Sequence, residues 1–202
     1  MSESTAIERL KAGHLDALEL LVRRYYLRGV RVAYLILGDR SQAEDVVQTK
    51  LVELPEKIRH FDASREFSPW FLRSVVNAAI NAAKRGSRMV SLEDDQELRL
   101  PAMDSWLARI EPGPEAALET KEIREDVMRA LGLLTPQQRA AVVCRYYLEL
   151  DEQEMTETLD ISRSSVKWRL HSARKRLRAL LHRYAPPLAN ASSRHPMRWD
   201  EE

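Results

Sequence analysis

Residues 151–181, DEQEMTETLDISRSSVKWRLHSARKRLRALL, decide the fold class of this chain. Asp151 and Glu154 have the spacing of a capping box, which predicts a short helix that ends near Leu159. Ser162 is the N-cap of a second, longer helix, and only three residues separate the two. The apolar face of the longer helix consists of Val166, Leu170, Ala173, Leu177, Leu180 and Leu181. Two helices joined by so short a turn are typical of a helix-turn-helix unit.

The residues around this stretch complete a helical domain that is predicted to span 115–184. Thr135, Pro136 and Gln138 combine an N-cap, a proline in the first turn and a glutamine at N3. They predict a further helix that begins at Pro136. The last residues, 185–202, contain prolines, asparagine and serines and are predicted to form a disordered tail.

A separate helical domain is predicted for residues 6–86. Apolar residues from Leu15 to Tyr26 recur with the period of a half-buried helix. We expect Gly29 to interrupt this helix and Gly38–Asp39 to end the apolar run that follows.

Two more helix starts follow in the same domain. Ser41–Glu44 has the sequence of a capping box and predicts a helix that ends near Pro55. Ser68 followed by Pro69 predicts an N-cap with proline at N1, and a helix that runs to about Arg85 and stops at Gly86.

Between the two domains, residues 87–114 have no sustained hydrophobic period and contain three prolines. They are predicted to be an acidic, flexible linker, in which Trp106, Leu107 and Ile110 form one apolar island. The predicted fold class is therefore all-α, with two small helical domains joined by a linker.

Charge is strongly segregated, although 32 Lys and Arg nearly balance 31 Asp and Glu over the 202 residues. Residues 163–183 hold eight basic side chains and no acid, and residues 64–88 hold five against Glu66 alone. Residues 91–126 hold eleven acids and four basic side chains. Two basic blocks, each on a helix with an apolar face, indicate a polyanion that is contacted at two places.

Several function classes are excluded by what the sequence lacks. No glycine pair has the spacing of a phosphate-binding loop, and the five histidines and one cysteine, Cys144, form no metal or catalytic motif. We expect no enzyme activity, cofactor or metal, and we expect Cys144 to be a core residue. A single cysteine fits a cytoplasmic protein. No apolar run is long enough to span a membrane, and the charged N-terminus does not resemble a signal peptide.

The helix after Ser162 is predicted to read duplex DNA, because an α-helix fits the major groove and its first turns reach base edges. The residues expected to face bases are Arg163, Ser164, Lys167 and His171, and Ser165 is assigned to the same DNA-binding surface. Arg169 and Arg174, on the flanks, are better placed for phosphates, which position a protein without specifying sequence. Trp168 is left with two interpretations: it packs on the DNA, or it turns back onto the helical bundle.

The helix after Ser68 carries a different set of side chains, in which aromatic, amide and basic groups are mixed. Its candidate binding residues are Phe67, Trp70, Arg73, Asn77, Asn81, Lys84 and Arg85. Aromatic rings that stack on bases beside cations are typical of single-strand recognition. Trp70 fits a core position equally well.

Four motifs in order resemble bacterial sigma factors of the extracytoplasmic-function (ECF) group, which give promoter specificity to RNA polymerase. They are A-E-D-V-V-Q at 43–48, F-S-P-W-F-L at 67–72, L-T-P-Q-Q-R at 134–139 and V-K-W-R-L-H-S-A-R at 166–174. The resemblance covers residues 6–185, with the linker similar only in length and character.

The resemblance implies partners and roles. Core RNA polymerase would bind through its beta-prime clamp helices to the segment that contains Glu44, Asp45, Val47 and Gln48, and its beta flap would be a further contact. The helix after Ser68 and the loop before it would hold the melted minus-ten element of promoter DNA. Residues 163–174 would read the minus-thirty-five element. An anti-sigma factor is a further partner that the resemblance allows.

Two other classes of protein remain as alternatives at this point. A free-standing helix-turn-helix regulator would use the first domain for dimerisation or sensing, and co-purification with core polymerase would separate it from a sigma factor. An RNA-binding or scaffold protein fits the basic blocks but does not account for four motifs in order.

Overall fold

The computed structural model describes residues 1–90, 123 and 125–184, with the side chains of 86–90 and 183 excepted. These residues contain helices and turns and no strand, so the all-α prediction is confirmed. The linker island at Trp106, Leu107 and Ile110, the start of the second domain at 115 and the tail lie outside the described residues.

The helices of the first domain pack around a shared apolar core. They are α1 (Glu3–Lys11), α2 (Leu18–Leu37), α3 (Arg40–Val52), the short α4 (Leu54–Lys57) and α5 (Phe67–Val90). The core is formed by the apolar faces of α2, α3 and α5; α2 packs against both of the others, which also contact each other. The domain begins earlier than predicted, because α1 starts at Glu3 and buries Ala6, Ile7 and Leu10.

Two glycines that were expected to break helices do not. α2 continues through Gly29, where a Cβ atom would lie only 3.2 and 3.3 Å from the Cγ atoms of Val47 and 3.5 Å from Phe71. Gly29 thus allows α3 and α5 to approach α2 closely. α5 likewise continues past Gly86 to Val90. Gly38 does end α2, as predicted, with φ of 79° in the left-handed region.

Two predicted N-caps in the first domain are misplaced. α3 is capped by Asp39, whose carboxylate accepts the N–H of Gln42 at 2.7 Å, and Ser41 lies inside the helix. α5 begins at Phe67, so Ser68 and Pro69 lie within its first turn. In both cases the helix begins within one turn of the predicted position.

The second domain contains α6 (residues 125–132), α7 (Pro136–Val142), α8 (Glu152–Leu159) and α9 (Arg163–Leu180). All three of its predicted N-caps, Thr135, Asp151 and Ser162, are confirmed. Asp160, with φ of 51°, ends α8 in the left-handed conformation and makes the three-residue turn of the helix-turn-helix. Asp126 fixes the end of the domain by hydrogen bonds with Arg129 and Tyr184.

Two buried side chains mark the core of this domain. Cys144 is fully buried, as expected, and burial raises the pKa of its thiol to about 12. Arg139, at the end of the L-T-P-Q-Q-R motif, is only 1% exposed, and burial lowers the pKa of its guanidinium to about 10. Sequence reasoning had no signal for the burial of this arginine.

The contact at Gly29 yields a stability prediction. In a helix interior, Gly29→Ala gains about 1 kcal/mol from helix propensity, but the new methyl group must displace Val47, whose branched side chain is fully buried. Because overpacking costs about 1–3 kcal/mol, we expect net destabilisation of about 1 kcal/mol in urea unfolding.

A double-mutant cycle checks the cause. In a Val47→Ala background, Gly29→Ala should become stabilising by up to about 1 kcal/mol, since the obstructing methyl groups are gone. In a Val52→Ala background it should cost the same as in wild type, because Val52 is 77% exposed on the same helix. A Gly29→Ala protein that is stabilised in the wild-type background would contradict the close contact.

Candidate nucleic-acid interface

The face of α9 that points away from the domain core carries the predicted reading residues. Val166, Leu170 and Ala173 are buried and hold the helix against α7 and α8. The exposed side chains on the opposite face are Arg163, Ser164, Lys167, Trp168 and His171. Ser165, Arg169 and Arg174 are half-buried at its edges. Trp168 is 66% exposed, so its side chain does not turn back onto the helical bundle.

A carboxylate from α8 lies beside two of these cations. Glu152 Oε2 accepts a hydrogen bond from Arg163 Nε at 2.7 Å and lies 3.8 Å from Lys167 Nζ. The hydrogen bond from Arg163 is the main reason that the pKa of Glu152 lies below its usual value, and the nearby charges of Lys167 and Arg145 contribute. These contacts restrict the rotation of the Arg163 and Lys167 side chains.

Arg174 is held from the other side of the helix by an aromatic ring. Its Nε donates to the hydroxyl of Tyr146 at 2.8 Å, and its guanidinium carbon lies 5.9 Å from the centre of that ring. Ser172 accepts a hydrogen bond from Gln138 Nε2 at 2.8 Å, which ties α9 to α7. Arg174 is therefore fixed at the edge of the surface.

α5 presents a second basic surface in the first domain. Arg73, Asn81, Lys84 and Arg85 are exposed, and Trp70 and Asn77 are half-buried. Phe67 was predicted to contact DNA, but it is 1% exposed and its ring lies 5.6 Å from that of Trp70 and 5.1 Å from that of Tyr25. This prediction is wrong in the structure, because the ring belongs to the core beneath the surface.

The loop before α5 is anchored at both ends. The Lys11 ammonium donates to the carbonyl of Phe61 and lies 5.8 Å from the centre of its ring. At the other end, Arg28 Nη1 donates to Ser68 Oγ at 2.9 Å. Within the loop, Asp62 accepts from the N–H and hydroxyl of Ser64 at 3.0 and 2.7 Å, and these bonds lower the pKa of Asp62. Residues 62–66 are exposed between these anchors.

α3 carries the four residues that the resemblance assigned to a protein partner. Asp45 and Gln48 are exposed one turn apart. Glu44 is half-buried and lies 2.9 Å from Arg40 Nε. Val47 is fully buried against Gly29, so its assignment to a binding surface is wrong: it packs in the core and fixes the helix that carries the other three.

Within residues 1–90 and 125–184, the structure has no group of three or more histidine, cysteine, aspartate or glutamate side chains that could hold a metal ion. None of the helices in those ranges is sufficiently long and apolar to cross a membrane.

Two family models match the two parts of the chain that carry these surfaces. Sigma-70 region 2 matches residues 21–89, which include α3 and α5. Sigma-70 region 4 matches residues 124–177, which include the helix-turn-helix. Together they cover more than half of the chain. It belongs to the sigma-70 family.

Curated relatives place this sigma-70 family chain in the ECF group. The ECF RNA polymerase sigma factor SigE of Mycolicibacterium smegmatis is 29% identical over 174 residues, which are 85% of this chain and 64% of that relative. The chain thus spans under two thirds of SigE. The ECF RNA polymerase sigma factor SigW of Bacillus subtilis is 28% identical over 177 residues, which are 87% of this chain and 94% of SigW.

Solved structures share the fold of this sigma factor. CnrH, in complex with the cytosolic domain of CnrY, has a TM-score of 0.57 and 21% identity, covering 90% of this chain and 97% of that one. The sigma factor RpoE of Bartonella quintana, in complex with the anti-sigma factor NepR, has a TM-score of 0.61 and 20% identity, covering 81% and 96%.

The two domains of the sigma factor face each other across a cleft of about 280 Å³. Trp70 and Arg73 line it from α5, and Leu148 and Leu150 line it from the turn before α8. The surface of α5 that was predicted to bind single-stranded DNA is therefore partly covered by the second domain in this arrangement.

Three long-range side-chain contacts at these surfaces were missed by sequence reasoning. Lys11 and Arg28 anchor a loop that lies 50 and 40 residues away, respectively, and Glu152 pairs with a residue 11 positions away. Helical periodicity reports neighbours within one helix and gives no signal for such pairs. The sequence offers one signal for the pair that Glu152 forms. Glu152 is an acid in the first turn of α8, and the helix that follows, α9, contains no acid.

The anchoring of the 61–67 loop predicts an effect of Lys11→Met. This change keeps most of the aliphatic stem and removes the charged donor to Phe61, so we expect the free energy of unfolding of the first domain to fall by about 1–2 kcal/mol. Urea unfolding measures it. Lys57→Met, at an exposed position of the same domain, is the control and should change stability by less than about 0.5 kcal/mol. Equal effects of the two variants would show that the anchor contributes nothing.

Proposed function

We propose that this sigma factor binds core RNA polymerase and directs promoter recognition and opening, with the work divided between three surfaces. α3 docks on the clamp helices of the beta-prime subunit through Glu44, Asp45 and Gln48. α5 and the loop before it hold the melted minus-ten element, and α9 reads the minus-thirty-five element. The beta flap of the polymerase is a further contact.

The observation that carries this proposal is the coincidence of family match and exposed chemistry. The region 2 match contains the exposed Asp45 and Gln48 and the basic face of α5, and the region 4 match contains the exposed face of α9. Each surface suits its proposed partner. Half-buried Trp70 beside exposed cations suits unstacked bases, and a helix with Arg and Lys in its first turns suits the major groove.

The residues proposed for each DNA element follow from their exposure. For the minus-ten element they are Trp70, Arg73, Asn77, Asn81, Lys84 and Arg85. For the minus-thirty-five element they are Arg163, Ser164, Ser165, Lys167, Trp168, Arg169, His171 and Arg174. Sigma-70 family proteins are non-enzymatic initiation factors, and we assign no catalytic group or cofactor to this chain.

Location and a further partner complete the proposal. Binding to core polymerase would place the protein in the cytoplasm, where that enzyme works. An anti-sigma factor is proposed as a partner because the similar RpoE of Bartonella quintana was solved in complex with the anti-sigma factor NepR.

Charge reversal at Asp45 tests polymerase docking. The side chain is exposed, so Asp45→Lys should keep the helical circular dichroism while binding to core polymerase weakens about tenfold, equivalent to about 1.4 kcal/mol. Co-purification and run-off transcription with core polymerase measure the effect. Glu56→Lys makes the same charge change on exposed α4 and should assemble normally. If the wild-type chain neither binds core polymerase nor supports run-off transcription, the proposal fails in favour of a free-standing regulator.

Alanine variants on α9 test the division between reading and positioning residues. Lys167→Ala should relax the preference at one base pair of the minus-thirty-five element, at a cost of about 1–3 kcal/mol. Arg174→Ala, at the edge of the helix against Tyr146, should weaken all sequences alike and lower the salt slope by about one unit. Binding-site selection with holoenzyme measures both. Equal shifts in preferred sequence for the two variants would show that the division is wrong.

A further inference from the structure

Glu152 is placed rigidly at the start of the helix-turn-helix. It is the first residue of α8, directly after the N-cap Asp151, whose carboxylate accepts from the N–H of Glu154 at 2.8 Å. The Glu154 carboxylate accepts in return from the N–H of Asp151 at 2.8 Å. This closed capping box fixes the backbone at Glu152, and the helix dipole favours an acid at this position.

From this fixed backbone, the Glu152 carboxylate reaches across to α9. It accepts from Arg163 Nε at 2.7 Å and lies 3.8 Å from Lys167 Nζ, while Arg145 adds a third positive charge nearby. Arg163 and Lys167 are one turn apart on the exposed face of α9. One carboxylate oxygen is therefore shared by the two long cationic side chains that are proposed to reach base edges.

An acid in this position has a cost and a benefit for DNA binding. Its negative charge opposes the phosphate backbone, which supplies most of the sequence-independent affinity. The benefit is orientation: Arg and Lys side chains are flexible, and a partner that holds them before DNA arrives reduces the freedom that is lost on binding. The geometry favours the benefit, because the bond to Arg163 occupies Nε and leaves its terminal Nη groups available as donors.

We infer that Glu152 is a positioning residue for promoter reading. It holds Arg163 and Lys167 in the orientation that contacts base edges, and so increases base preference while lowering affinity for DNA in general. This inference rests on the proposed role of α9 in reading the minus-thirty-five element, and it names a residue outside α9 that controls specificity.

The test compares three variants of the full chain, each assembled with core polymerase: Glu152→Gln, Glu152→Asp and Glu157→Gln. Binding is measured on promoter duplexes that differ only in the minus-thirty-five element, and on an unrelated duplex. Glu152→Gln should reduce the ratio of affinities for preferred and altered elements about five- to tenfold, with binding to the unrelated duplex unchanged or tighter. Glu157→Gln, exposed on the same helix, is the control for loss of one negative charge and should keep the wild-type ratio.

Glu152→Asp separates orientation from charge. It keeps the negative charge but is one methylene shorter, so it should lose the bond to Arg163 and reduce the ratio of affinities about as much as Glu152→Gln does. A Glu152→Asp protein with the wild-type ratio, together with a Glu152→Gln protein that binds every duplex more tightly by the same factor, would overturn the inference: the acid would then act by repulsion alone.

Three further measurements complete the test. In an Arg163→Ala background, Glu152→Gln should cause a smaller loss of preference than in the wild-type chain, because only its contact with Lys167 remains; an undiminished loss would overturn the inference. Thermal unfolding of each variant shows whether a change in preference comes from a damaged domain, which would also overturn it. If the wild-type holoenzyme does not distinguish minus-thirty-five elements at all, the proposed function fails first, and the inference about Glu152 falls with it.

Discussion

Gly29 allows the three main helices of the first domain to lie against one another. With no side chain there, Val47 of α3 and Phe71 of α5 both pack directly on the backbone of α2. That contact sets the position of the α3 turn that carries Asp45 and Gln48, and of the first turns of α5 that carry Trp70. Two surfaces proposed for different partners, one a protein and one a nucleic acid, therefore share a single packing contact.

The exposed cations of the chain are arranged by contacts that differ between the domains. In the first domain, Lys11 and Arg28 are used to fix a loop, and the cations left for DNA lie on α5. In the second domain, Arg163, Lys167 and Arg174 are themselves the proposed DNA contacts, and each has a protein side chain beside it. A basic surface of this kind is structured before DNA arrives, which favours selectivity over affinity.

Local signals predicted the second domain well. Thr135, Asp151 and Ser162 are N-caps whose hydrogen bonds lie within three residues, so the sequence contains all of the necessary information. The first domain was less predictable, because its choices depend on distant residues. Asp39 and Ser41 are both suitable N-caps for α3, and the sequence does not show which of them is used. Gly29 lowers helix propensity, and the reason for a glycine at this position is visible only when Val47 is seen packed against it.

In the candidate site, too, features that depend on local spacing were predicted and those that depend on distant contacts were missed. Apolar spacing on α9 separated its buried face from the exposed Arg163 and Lys167. Motif similarity could not separate the buried Val47 and Phe67 from their exposed neighbours, because a motif records residue types and not the direction of each side chain. Their burial follows from the aromatic and aliphatic contacts with α2, which only the folded chain reveals.

The burial of Cys144 has a consequence for experiments on the motion of the two domains. It is the only cysteine in the chain, and with its pKa raised to about 12 its thiol stays protonated at neutral pH, whereas thiol reagents attack the thiolate. Cysteines introduced on exposed positions of α3 and α9 would react with fluorescent or spin labels against a silent background. Distances between the domains could thus be followed in the otherwise native chain as polymerase and promoter are added.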